Sequence, residues 1–167
     1  MISKKMESAL NQQINQEFAS AYLYLSLAAH FARHNFNGFA HWMRLQFSEE
    51  LNHAGKLFDH VIERNGDVTL TSVPAPVAEW GSVAEAVNAA YDAEVNNTAQ
   101  INTIMNVAHE EGDHATRVML QWFVEEQVEE EASALTLVEQ IRLAGDNPGA
   151  LFILDRELGS RQPATSE

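Results

Sequence analysis

Polar side chains interrupt four apolar seams in this chain, and they do so at a fixed offset. Glu17 recurs 77 positions later as Glu94, Glu50 as Gln127, His53 as Glu130, and Glu49 maps likewise onto Glu126. Each seam advances in steps of three and four, the spacing of one helix face. The first is Leu10, Ile14, Glu17, Ala21, Tyr24, Ala28; the second is Met43, Phe47, Glu50, Ala54, Leu57, Val61. The third is Val87, Tyr91, Glu94, Thr98, Ile101, Met105, Ala108; the fourth is Phe123, Gln127, Glu130, Ala134, Leu137, Ile141. In Glu50-x-x-His53 and Gln127-x-x-Glu130 the paired side chains stand one above the other on one helix face. Two similar helix pairs with polar groups at matching depth predict an all-α four-helix bundle around a dinuclear metal site.

Burying one carboxylate costs several kcal/mol, and several together also repel. Protonation is one remedy and cation binding the other. Two divalent ions neutralise about four carboxylates, which matches the number here. Oxygen donors with one imidazole suit iron(II) or manganese, with zinc as competitor. Glu50 is best placed to bridge two ions. Tyr24, seven residues beyond Glu17, can donate a hydrogen bond to a metal-bound carboxylate or serve packing alone. Trp122 and Met105 read as core. The run Glu125 to Glu131 reads first as a solvated acidic face. Glu126, Glu129 and Glu130 share a side with Gln127, however, and can hold a third cation. His109-Glu110-Glu111-Gly112-Asp113-His114 superficially matches a zinc-protease motif, but its histidines are five apart with a glycine between them, so that reading fails. Glu110, Asp113 and His114 are candidates for lining a pore.

The first helix is expected from about Ser3, as cap, to Arg33. His34 to Gly38 reads as a turn, and a second helix runs to about Asn65, stopped by Gly66. Residues 66–81 lack helical period. A loop of that length can stretch ~50 Å, whereas the second helix, at about 27 residues, spans ~40 Å. The third helix can therefore start at the end where the second started, giving a long crossover. Ser82 to Glu85 opens the third helix as a capping box. Gly112 ends it, and Asp113 caps a fourth helix that stops near Gly145. Asn147-Pro148 opens a short fifth helix with Leu151, Leu154 and Leu158 on one face. One domain over residues 1–159 is expected, with a flexible tail over 160–167.

The net charge of −14, from 24 acidic against 10 basic residues, argues against nucleic-acid binding and favours attraction of cations. There are no cysteines, which removes disulfides and thiolate chemistry and fits a reducing compartment. The start, Met1 to Met6, is not a secretory signal, and no apolar run approaches the ~20 residues of a membrane span. The expected location is the cytoplasm.

Glu17, Glu50-x-x-His53, Glu94 and Gln127-x-x-Glu130, on four long helices with a crossover and a short fifth helix, resemble bacterial non-haem ferritin over all but the tail. The resemblance implies a 24-subunit shell that oxidises iron(II) with O2 or H2O2 and stores a ferric mineral. By that likeness Glu17, Glu50 and His53 bind one iron, and Glu50, Glu94 and Glu130 the second, with Gln127 beside the bound oxygen. Glu49, Glu126, Glu129 and Glu130 form a third iron site, and Tyr24 matches the tyrosine near the pair. Haem is not implied, since haem-containing relatives repeat Glu-x-x-His in both halves and carry a methionine where this chain has Leu51. Two other readings remain open: a di-iron peroxidase resembling rubrerythrin, which usually carries a cysteine-rich domain, and a structural cage subunit with an inactive site.

Overall fold

The computed structural model describes residues 1–163. It contains α1 (Lys4–Arg33), α2 (Asn37–Glu63), α3 (Val83–Glu110), α4 (His114–Ala144) and α5 (Pro148–Leu158), and no strand among the described residues. The helices begin where side chains can satisfy their first amides. Ser3 Oγ accepts from Met6 N, Ser82 Oγ from Glu85 N, Asp113 Oδ1 from Thr116 N, and Asn147 Oδ1 from Gly149 N and Ala150 N. The expected capping box is shifted by one residue. Glu85 Oε2 accepts from Gly81 N at 2.7 Å and not from Ser82. Gly112 (φ 65°) and Gly145 (φ 54°) close α3 and α4 in left-handed conformations.

The first turn differs from expectation. Asn35, at φ 63°, makes the left-handed step, and Gly38 already lies within α2. Gly38 is there for proximity. A β-carbon at that position would lie 1.6 Å from the Asp155 carbonyl oxygen of α5. The close approach completes α2, whose N-cap Phe36 supplies no side-chain hydrogen bond. Asp155 Oδ1 accepts from Gly38 N at 2.8 Å and Phe39 N at 3.0 Å instead. Replacing Gly38 by Ala should therefore push α5 away and cost about 3 kcal/mol, or roughly 6–12 °C in the thermal midpoint of the ion-free protein. An unchanged midpoint would show that α5 does not brace the bundle.

The segment between α2 and α3 lies along α1. Asn11 Nδ2 donates to Asp67 O at 2.8 Å, and its Oδ1 accepts from Thr69 N at 2.7 Å. Asn15 repeats the pattern one turn on, with Thr69 O at 3.1 Å and Thr71 N at 2.8 Å. Farther along, Ser26 Oγ donates to Val77 O and Arg33 pairs with Glu79. The crossover thus travels most of the length of α1, which its length allows.

Two apolar clusters fill the bundle. One joins Tyr24, Leu27 and Phe31 of α1 to Phe39 and Met43 of α2, Ala86 and Ala90 of α3, and Leu137 and Ile141 of α4. Leu151, Leu154 and Leu158 of α5 pack against it. The other joins Met6, Leu10 and Ile14 to Leu57 and Val61, Ile101 and Ala108, and Leu120 and Phe123. The start of α2 thus shares an end with the start of α3, so those helices run parallel and α1 and α4 run against them. Between the clusters lies a buried polar layer. Trp122 and Met105, expected in the core, are only partly buried at the margin of the second cluster. Trp122 there presents its face to Lys56 Nζ, 4.2 Å from the ring centroid.

The first residues after α5 make contacts with α2. Arg161 folds back onto α2, and its carbonyl oxygen accepts from His41 Nε2 at 2.9 Å. Its charge has acidic and aromatic partners on that helix, which offsets the entropy of docking. Residues 164–167 lie outside the described residues. No helix among the described residues is long and apolar enough to cross a membrane.

Candidate metal centre

The seam positions deliver their polar groups to one place. Glu17 (α1), Glu50 and His53 (α2), Glu94 (α3), and Gln127 and Glu130 (α4) are all buried, with Glu50 wholly inaccessible. Ligand atoms of Glu17, Glu50 and His53 lie within 4.8 Å of one another, as do those of His53, Glu126 and Glu130. His53 belongs to both groups.

Most of these groups are steadied from one side. Glu17 Oε1 accepts from Gln13 Nε2 at 2.7 Å, and Oε2 accepts from Asn97 Nδ2 at 3.3 Å. Glu94 accepts from the Tyr24 hydroxyl and, at 3.3 Å, from Gln127 Nε2. Glu130 Oε2 accepts from Gln46 Nε2 at 2.6 Å. Glu50 is the exception, because no donor reaches either oxygen, and His53 Nδ1 is equally without a partner. His53 Nδ1 and Glu50 Oε2 lie 3.8 Å apart. Buried polar atoms are nearly always satisfied, so three orphaned ones in one cluster fit a divalent cation. A bridging carboxylate needs both oxygens free, and Glu50 alone meets that condition.

The titration of the ion-free chain follows from this geometry. Burial, reinforced by Glu17 and Glu94, pushes Glu50 well above the ordinary carboxylate range. Burial raises Glu17 as well, against its hydrogen bonds. Burial lifts Glu94 to about 7, opposed by the bonds from Tyr24 and Gln127. Burial, then Glu94 and Glu49, lift Glu130 to about 8. Burial, with Lys56 nearby, lowers His53 to about 4, so its imidazole is neutral and able to coordinate at neutral pH.

The third group of carboxylates is less gathered. Glu126 and Glu130 reach His53, Glu129 is exposed, and Glu49 is paired with Arg161 at 3.2 Å. The pore candidates are engaged within the chain. Asp113 pairs with Arg64 at 2.9 Å and Glu110 with Lys5 at 2.9 Å, while His114 is exposed. Burial alone would raise Asp113, but the Arg64 and Thr116 hydrogen bonds outweigh it and hold the carboxyl at about 2.

Residues 7–144 match the ferritin-like domain family. The chain belongs to the ferritin family. It is 38% identical to a bacterial non-heme ferritin of Bacteroides fragilis over 161 residues, covering 96% of this chain and 100% of that one. It is 33% identical to a bacterial non-heme ferritin of Staphylococcus saprophyticus, with 100% of both chains covered. Among solved structures, the open-pore ferritin of the hyperthermophilic archaeon Archaeoglobus fulgidus is 52% identical. It superposes with a TM-score of 0.96 over 97% of this chain and 100% of that chain. A humanized archaeal ferritin superposes at 0.97 with 50% identity, covering 99% of this chain and 100% of the other.

Three amides of this ferritin's polar layer escape sequence reasoning: Gln13, Gln46 and Asn97. Each is buried, and each lies one turn from a seam carboxylate, Gln13 before Glu17, Gln46 before Glu50 and Asn97 after Glu94. That spacing is the signal that could have found them.

Proposed function

We propose that this protein is an iron-storage ferritin with ferroxidase activity. Glu17, Glu50 and His53 take one ferrous ion, Glu50, Glu94 and Glu130 take a second, and Gln127 lies beside the position open to oxidant. Tyr24 steadies Glu94. Glu49, Glu126, Glu129 and Glu130 accept a third ion. Each ferrous ion of the pair gives up one electron, and O2 takes the two electrons with two solvent protons to become H2O2. The ferric product passes to the interior of a 24-subunit cytoplasmic shell and hydrolyses to mineral. Iron enters as substrate, attracted by the negative field of an acidic chain. The protein binds no haem.

The observation that carries this reading is the orphaned trio of Glu50 Oε1, Glu50 Oε2 and His53 Nδ1 in a fully buried layer. The test is a crystal soaked anaerobically in iron(II) and read by anomalous scattering, paired with oxygen uptake and particle mass. Two ions flanking Glu50, iron oxidation well above the rate in buffer and a particle of about 24 chains are expected. An empty layer, or oxidation no faster than buffer, would leave a cage subunit with an inactive site. A particle of monomer mass would remove the shell.

A further inference from the structure

Arg161 lies beyond the last helix, yet its side chain is held on three sides. Nη2 sits 3.2 Å from Glu49 Oε2 and 3.3 Å from Oε1. Nη1 donates to Gln46 Oε1. The guanidinium carbon lies 5.2 Å from the Trp42 ring centroid, within stacking range. The side chain is 29% exposed and that of Glu49 12%, so the pair is partly withdrawn from solvent screening.

The Gln46 contact reaches further than its own bond. Gln46 is fully buried and has one oxygen and one nitrogen to place. With the oxygen taken by Arg161, the nitrogen must face the other way, and it donates to Glu130 Oε2 at 2.6 Å. Arg161 therefore acts on two carboxylates, Glu49 directly and Glu130 through one amide. Glu130 in turn lies with Glu126 at His53, their ligand atoms within 4.8 Å of one another. The other nearby cation, Lys56, lies over Trp122 and makes no ion pair with Glu49.

We infer that Arg161 is a tethered cation standing in for a metal ion at Glu49, so that a third divalent ion and the docked C-terminal segment exclude one another. The inference rests on the reading of Glu49, Glu126, Glu129 and Glu130 as a cation site. A guanidinium brings one charge and a fork matched to a carboxylate. An incoming divalent ion brings two charges, but it must first break the Glu49 pair, the Gln46 bond and the stacking on Trp42. Arg161 thus lowers the affinity of the third position while keeping Glu130 oriented towards the pair. Loading the third position frees Gln46 to turn, which couples that position to a ligand of the paired site.

Arg161→Gln, and separately a chain ending at Ser160, test this in the assembled protein. The probe is zinc(II) alone, titrated by calorimetry without oxygen and located in soaked crystals by anomalous scattering. In both variants the third-ion dissociation constant should fall about tenfold, which corresponds to ~1.4 kcal/mol, with Arg161→Lys intermediate. In wild-type crystals, molecules holding a zinc ion at Glu49 should have Arg161 turned away. A third-ion constant within about twofold of wild type in both variants would overturn the inference. So would a crystal in which zinc and Arg161 contact Glu49 together. Failure of the third-site reading looks different, as no zinc among Glu49, Glu126, Glu129 and Glu130 in wild type or either variant while the pair at Glu17, Glu50 and His53 fills.

Discussion

Replacing Glu50 by Leu should make the ion-free protein more stable and the iron-loaded one inactive. Glu50 is wholly buried, and neither oxygen has a donor. An unsatisfied buried carboxyl group costs about 1–3 kcal/mol, and a side chain of similar volume removes that cost without leaving a cavity. The thermal midpoint of the ion-free variant should rise by roughly 2–12 °C. Iron oxidation should fall by about three orders of magnitude, because the lost bridge is worth several kcal/mol of charge stabilisation. The two effects have opposite signs, which separates this role from a structural one. A core residue holding the bundle together would destabilise it on removal. Oxidation at the wild-type rate, or a lowered midpoint with activity intact, would refute the bridging role.

The sequence made this site legible because depth in a helical bundle is set by position along a seam. Glu17, Glu50, Glu94 and Gln127 interrupt apolar rows at matching heights, and packing the rows together brings those residues into one layer. The caps were legible for a similar reason, since Ser3, Ser82, Asp113 and Asn147 act on amides two or three residues away. What the sequence hid depends on contacts between distant segments. Asn11 and Asn15 look like ordinary polar residues on a helix. They matter because the crossover peptide happens to pass over them, where each side-chain amide pairs with it as another backbone would. Gly38 reads as a turn residue until Asp155, far along the chain, is found against its α-carbon. Arg161 reads as tail because its partners, Glu49, Gln46 and Trp42, lie on α2, more than a hundred residues earlier in the chain. Gln13, Gln46 and Asn97 went unread, although each lies one helical turn from a seam carboxylate.

Metal binding to this ferritin should release protons, and its pH dependence should be steep. Glu94 and Glu130 keep their protons up to about 7 and about 8 in the ion-free fold, whereas an unfolded chain loses them near 4.5. The folded state therefore binds more protons than the unfolded one between those limits, so the ion-free protein loses stability as pH rises through that window. A divalent ion takes the place of the protons. At pH 6.5, filling the pair with zinc should release about two protons from Glu94 and Glu130. By pH 9 the released number should be lower by about two. Between pH 6 and 7 these two groups should raise the affinity for the pair about fiftyfold, a little under one factor of ten for each proton displaced. Calorimetry in two buffers of different ionisation heat counts the protons directly, and thermal melts with and without zinc follow the stability. The ion-free midpoint should fall from pH 6 to 9 and the zinc-loaded midpoint should fall less. Binding without proton release at pH 6.5 would mean that these carboxylates are already ionised, and that the buried layer does not need a metal to neutralise it.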